Sequence, residues 1–240
     1  MNLILDIGNT LQKIAVFDSD ESVYSQSFKK ITKEILASFF EQFPVKKSIL
    51  SSVADVDVQI VDFLQNNTKM IRFSYETKLP ITILYKNPET LGLDRIANAV
   101  GAAALFANKN ILSIQAGTCL VLDFVNENGE YLGGSISPGL KMRFEALHEK
   151  TKQLPLLKDL DDCINLMGTD TNSSIKCGVI NGIKYEIEGY IKDYNAKYEN
   201  LTILLTGGNA NYLQKLIKNT IFAAPNVVMK GLNEIIKCNA

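Results

Sequence analysis

Two short stretches of the chain carry the same kinds of residue at the same spacing. Residues 3–10 read Leu-Ile-Leu-Asp-Ile-Gly-Asn-Thr, and residues 112–119 read Leu-Ser-Ile-Gln-Ala-Gly-Thr-Cys. In each, an apolar run ends in a polar residue, Asp6 or Gln115, and a glycine follows two positions later, Gly8 or Gly117. Asn9 and Thr10, or Thr118, supply short polar groups just beyond it, and a second apolar run begins. A strand pair with a glycine at its tip can bring backbone N–H groups close to an anion, because glycine has no Cβ to keep the anion away. Two such tips, one in each half, point to a nucleotide-dependent phosphotransferase holding a polyphosphate between two lobes. Asp6 can serve as a hard ligand that organises Mg²⁺ and phosphate, usually through water. It can equally be an ordinary turn aspartate.

A third group, Gly92-Leu93-Asp94-Arg95, joins a Pro/Gly loop to an apolar segment. Asp94 at a helix start is explained as a cap. Beside Arg95, which can clamp a carboxylate or phosphate with two parallel hydrogen bonds, it can also accept a proton from a substrate hydroxyl. Thr206-Gly207-Gly208 follows an apolar strand and offers bare backbone to a base or ribose. Gly133-Gly134 and Pro138-Gly139 read either as turn and bulge glycines or as a surface approached by a ligand. There is no GxxxxGK[ST] and no protein-kinase motif set, so ATP chemistry here must rely on the paired tips.

Composition narrows the field. The chain has 240 residues and a formal charge of −1, so no global field attracts nucleic acid or an anionic membrane. The single His148 excludes a histidine-rich metal site. Cys119, Cys163, Cys177 and Cys238 are far apart, without CxxC or zinc spacing, which fits reduced thiols in a cytoplasmic protein. The chain opens directly on an apolar run without a secretory pattern, and no apolar run reaches the ~18–20 residues of a membrane span.

The elements that must position these groups follow from periodicity. Strands are expected at 2–6, 12–18, 22–28, 47–51, 70–74 and 81–85, with helices at 32–43, 55–67 and 93–107. The second half repeats the order, with strands at 110–115, 119–126 and 130–136 and a helix at 140–150. Asn128-Gly129 marks a hairpin. A long helix at 171–195 is expected to be broken by Gly178, Gly182 and Gly189, followed by a strand at 201–205 and helices at 210–217 and 231–237. The repeated order predicts two duplicated α/β lobes, 1–107 and 108–240, touching along a cleft.

Taken together and in order, Asp6-Ile-Gly8-Asn9-Thr10, Gly92-Leu93-Asp94-Arg95, Gly117-Thr118, Gly133-Gly134-Ser-Ile-Ser-Pro138-Gly139, Thr151-Lys-Gln-Leu-Pro155 and Thr206-Gly207-Gly208 resemble type III pantothenate kinases, also known as Bvg accessory factor homologues. The resemblance spans essentially the whole chain. It implies the actin-like ATPase fold, two ribonuclease-H-like lobes with the active site in the cleft. It implies ATP-dependent phosphorylation of pantothenate, the first step of coenzyme A synthesis, by a cytoplasmic homodimer needing Mg²⁺ and a monovalent cation, K⁺ or NH₄⁺. By the same resemblance Asp94 is the catalytic base. Tyr85, Gly92, Leu93, Arg95 and Thr171 lie on the pantothenate side, with Thr171 reaching the substrate from the same or the partner subunit. Asp6, Gly8, Asn9, Thr10, Gly117, Thr118, Gly207 and Gly208 hold ATP, and Asp6 and position 115 hold cations. Position 115 departs from the pattern: the resembling family carries Asp there, and this chain carries Gln115. A neutral amide lacks the cation-binding charge. The alternative expectation is therefore a catalytically weakened nucleotide-binding accessory protein of the same fold. A phosphatase or polyphosphate hydrolase on this fold is a third.

Overall fold

In the computed structural model the chain is described over residues 1–8, 11–52, 54–157, 165–219 and 221–239. The first half contains strands β1 (Asn2–Ile7), β2 (Gln12–Asp18) and β3 (Glu21–Phe28), helix α1 (Lys33–Gln42), β4 (Lys47–Ser52), α2 (Val58–Asn67), β5 (Lys69–Arg72), the short β6 (Thr82–Ile83) and α3 (Leu93–Leu105). The second half contains β7 (Asn110–Ala116), β8 (Cys119–Val125), β9 (Glu130–Pro138), α4 (Leu140–Glu149), α5 (Thr171–Lys197), β10 (Leu201–Thr206), α6 (Ala210–Leu216), β11 (Phe222–Ala223) and α7 (Val227–Cys238). Among the described residues no helix is long and apolar enough to cross a membrane.

The two halves build sheets of one topology. The first sheet runs β3-β2-β1-β4-β5. The second runs β9-β8-β7-β10-β11, the same order, with β6 added beside β9. In both, the first strand pairs antiparallel with the second and parallel with the fourth. This is the ribonuclease-H-like order, present twice.

The chain divides into two compact units. The first comprises residues 1–107, the short stretch 129–131 and the C-terminal segment from Asn226. Leu3, Leu5, Ile7, Ile14, Val16 and Leu50 turn one sheet face toward Leu36 and Phe39 of α1 and Ile60 and Leu64 of α2. Strand side chains alternate, so Asn2, Ile4 and Asp6 point to the other face. That face meets α7, and the Asn2 amide donates to Asn233 of α7 at 2.8 Å. A single cut at 107/108 would assign α7 to the second unit, but it packs on α3, β1 and β4 of the first. The packing is backbone-close: a Cβ on Gly231 would lie 1.8 Å from the Ala97 carbonyl oxygen of α3. The sequence expectation placed this helix at 231–237. It starts at Val227 instead, after Asn226 in the left-handed region (φ 62°), and Gly231 is an interior contact.

The second unit spans residues 108–128 and 132–225. Leu112, Ile114 and Ala116 of β7, Leu120 and Leu122 of β8, and Ile203 and Leu205 of β10 face the helices. Against them lie Leu140 and Phe144 of α4, Leu213 of α6 and the buried isoleucines 175, 180, 183, 187 and 191 of α5. Contrary to expectation, α5 is one unbroken helix of 27 residues. A glycine in a helix costs about 1 kcal/mol relative to alanine. Each buried isoleucine contributes about 1.5–3 kcal/mol, so the apolar stripe outweighs three glycines. The start is fixed by a capping box, in which Asp170 accepts from Ser173 N–H and the Ser173 hydroxyl accepts from Asp170 N–H.

Candidate active site

Two strand tips, one per unit, carry the groups singled out above. In the first unit Asp6 occupies the penultimate position of β1, opposite Lys13 of β2 and level with Ser51 of β4. The turn beyond it closes with Gly8 N–H donating to the Leu11 carbonyl at 3.2 Å. Asn9 and Thr10, expected to reach phosphate oxygens, lie outside the described residues.

Asp94 is brought to the same place by α3. Gly92 is the N-cap, and the helix starts at Leu93 with Asp94 in its first turn. Its carboxyl folds back over the cap: Oδ1 lies 2.5 Å from where a Gly92 Cβ would stand, so a side chain at position 92 would displace the Asp94 carboxyl from this position. The electrostatics show the convergence. Burial raises the Asp6 carboxyl above the ordinary aspartate range, Lys13 opposes this, and the charge of Asp94 adds to the rise. Both readings of Asp94 coexist: it sits where a helix-start acid sits, and its charge is felt by a second acid, Asp6.

Arg95, the next residue, is buried, with its guanidinium 5.9 Å from the centre of the Tyr85 ring. The Tyr85 ring packs at a tilt against Tyr131, centroids 6.1 Å apart. A guanidinium over an aromatic face is held in orientation by the ring quadrupole. Leu93 is half-buried at the helix start. Asp6, Tyr85, Gly92, Asp94 and Arg95 thus belong to one unit. Lys13 was missed, although a lone lysine inside an apolar strand, facing the tip acid in a two-residue-period pattern, was the available signal.

The second unit repeats the tip with different chemistry. Gln115 is the penultimate residue of β7, on the sheet face away from the α4–α5–α6 core, as Asp6 is on the face away from α1 and α2. Its cross-strand neighbour is Val121 where Asp6 has Lys13, and its parallel neighbour is Thr206. The turn is tighter: Gly117 N–H donates to the Cys119 carbonyl at 3.0 Å. Thr118 is exposed. Gly139 N–H donates to the Thr118 carbonyl at 3.1 Å, which ties the end of β9 to the tip. Gly207, at φ 95°, passes directly over Ala116: a Cβ there would fall 2.6 Å from the Ala116 carbonyl oxygen, which instead accepts from Asn209 N–H at 3.0 Å. The structure therefore joins Gln115, Gly117, Thr118, Gly139, Gly207 and Gly208 at one end of the second sheet. Gly134 and Gly139 make room for backbone, the Leu122 and Thr118 carbonyls, which favours the bulge-and-turn reading over a ligand surface.

Thr171 lies elsewhere in the second unit. It lines a cavity of about 670 Å³ with Arg143, Leu147, Leu154, Ile175 and Val179. Arg143, not singled out from the sequence, anchors this region. It pairs with Glu186, and its Nε donates to the Pro138 carbonyl at 2.8 Å.

Paired sheets of one topology, each ending in a glycine tip, with an acid at the first tip and a second acid brought beside it by a helix, define a kinase of the actin-like ATPase and sugar-kinase class. Solved structures agree on the fold. A Baf-family protein from Campylobacter jejuni, named as a transcriptional activator, superposes with a TM-score of 0.61 at 20% identity over 99% of this chain and 98% of its own. The activator of 2-hydroxyisocaproyl-CoA dehydratase from Clostridium difficile, with bound ADPNP, superposes with a TM-score of 0.52 at 13% identity over 99% and 95%. The family model for type III pantothenate kinase matches residues 2–193, and a type III pantothenate kinase of Christiangramia forsetii is 43% identical over 100% of this chain and 99% of its own. The chain belongs to the type III pantothenate kinase family.

Proposed function

We propose that this protein transfers the γ-phosphoryl group of ATP to the hydroxyl of pantothenate, forming 4'-phosphopantothenate, the first step of coenzyme A synthesis, in the cytoplasm. The observation that carries the reading is the meeting of Asp94 and Asp6 beside Arg95 and Tyr85. Phosphoryl transfer needs a positioned hydroxyl, an acceptor for its proton, and charge on the phosphates. Asp94 accepts the proton. Arg95, oriented by Tyr85, binds the pantothenate carboxylate, and Gly92 and Leu93 shape the entry to that position. By the family resemblance Thr171 contributes to pantothenate binding, from the same or the partner subunit. In the second unit, Gly117 and Thr118 present backbone and hydroxyl donors to phosphate, and Gly207 and Gly208 leave bare backbone for adenosine. Gly8, with Asn9 and Thr10 beyond it, serves phosphate at the first tip.

Two acids, one with its proton affinity raised by burial and by the other's charge, suit a hydrated Mg²⁺. Mg²⁺ bound with the nucleotide supplies positive charge to the phosphate oxygens. The monovalent cation implied by the resemblance fits less well. The second tip, residues 115–119, 137–139 and 206–209, contains no Asp or Glu.

The proposed homodimer is supported by the open glycine face of α5, which among the described residues only Arg143 approaches, near Gly182. Gly178, Gly182, Tyr185 and Gly189 share one helical face, and added Cβ atoms at Gly178 and Gly189 would meet nothing. Light scattering of the purified protein tests it, with twice the chain mass expected. Mass spectrometry after incubation with ATP, Mg²⁺ and pantothenate tests the activity. The expected product is a phosphomonoester of pantothenate, and free phosphate alone would favour a hydrolase.

A further inference from the structure

We propose that the second tip of this protein is a phosphate site that works without a monovalent cation, Gln115 doing within one neutral side chain what an aspartate and a bound cation would do together. The proposal rests on the kinase reading above. Gln115 and Asp6 occupy equivalent places: penultimate in the first strand of their sheet, two residues before the tip glycine, on the face away from the helical core. Their surroundings differ in charge. Asp6 has Lys13 across the strand pair and Asp94 nearby, whereas Gln115 has Val121 across and Thr206 alongside. Among the described residues no group of three or more His, Cys, Asp or Glu is placed to hold a metal ion.

Charge bookkeeping then favours cation independence. An aspartate with a bound monovalent cation has net charge zero, and it offers an acceptor on one side and a positive site on the other. A glutamine also has net charge zero, and its amide offers an acceptor oxygen and two N–H donors. Gln115 can accept from the tip backbone or Thr206 through Oε1 while Nε2 donates to an anionic phosphate oxygen, a charge-assisted hydrogen bond. A cation at this position loses one unit charge of attraction. At about 4 Å and an effective dielectric of about 20, that weakens its binding by up to about 10³-fold. Gln115→Asp reverses the logic: it adds a negative charge beside a polyphosphate, and only a cation can offset it.

The test measures ATP affinity by calorimetry, and ADP release with pantothenate, for the full chain in KCl, NH₄Cl and choline chloride at one ionic strength. Wild-type affinity and rate should agree within about 2-fold across the three salts, because no unit charge at the tip recruits a cation. Gln115→Asp should bind ATP at least about 10-fold more weakly in choline chloride than in KCl. Gln115→Ala, safer for folding, should weaken ATP binding by about 10-fold in every salt, since it deletes the donor. A wild-type affinity or rate that rises about 5-fold or more with K⁺ would show that the tip recruits a cation after all. Unchanged ATP affinity in Gln115→Ala would remove the amide from the site. If ATP binds but pantothenate elicits no ADP release, the kinase reading fails, while the salt series on binding still decides the cation question.

Discussion

Asp6 at the end of β1 and Asp94 in the first turn of α3 lie near enough for the charge of Asp94 to add to the proton affinity that burial gives Asp6. The two residues reach this point by independent routes. Strand alternation turns Asp6 to the side of the sheet that meets α7, and α7 holds α3 through the contact of Gly231 with Ala97.

This relationship fixes a pH dependence. The folded-state pKa of Asp6 is raised, so between the unfolded value and the folded one the native state binds more protons than the unfolded state. Stability therefore falls as pH rises through that window, and above the unfolded-state value the burial of the Asp6 carboxyl is a net cost to the ligand-free fold. Asp6→Asn should leave the ligand-free protein as stable as wild type or more so at pH 7. It should also abolish the rise in Tm that ATP and Mg²⁺ give the wild type. Thermal melts with and without Mg²⁺-ATP check both; a ligand-free variant clearly less stable than wild type would contradict the assignment.

Asp94→Asn should lower kcat by about 10²–10⁴, the usual contribution of a positioned proton acceptor, and leave the fold intact. Steady-state kinetics with circular dichroism separates the outcomes. Near-normal kcat with reduced stability would make Asp94 a helix cap only.

Arg95→Lys keeps the charge and loses both the planar fork and the stacking on Tyr85. The KM for pantothenate should rise by about 10-fold or more, the loss of a charge-assisted contact, while the KM for ATP changes little. Equal rises in both would place Arg95 outside the pantothenate position.

Two glycine substitutions should move stability in opposite directions. Gly231→Ala drives a methyl group into the Ala97 carbonyl and should cost about 1–3 kcal/mol. Gly189→Ala, in open space on α5, should stabilise a protomer by up to about 1 kcal/mol. Urea denaturation of both variants, at concentrations where any dimer is dissociated, gives the comparison.

Local signals carried most of the architecture. Short apolar runs located β1, β2, β4, β7, β8 and β10, and the repeated tip exposed the duplication before any pairing was known. What local pattern could not show was where glycine acts at long range. The expected helix began at 231, and nothing local marked Gly231 as an interior contact, because its partner, Ala97, is far away in sequence. Gly178, Gly182 and Gly189 read as helix breaks because the isoleucine stripe that overrides them gains its energy only against the sheet. The site shows the same division. Asp6, Asp94 and Gly207 stood out by type and neighbours; Lys13 left only the signal of a lone lysine in an apolar strand, and Arg143 acquires meaning only from tertiary pairing.

The most direct measurement of the central reading is ADP release by the purified wild-type chain with ATP and Mg²⁺, with pantothenate present or withheld. The reading predicts release that starts on addition of pantothenate, saturates with it, and stays at background without it. Release at the same rate in both conditions would contradict it and make the protein an ATP hydrolase. ATP binding with no release in either would make it a nucleotide-binding accessory protein.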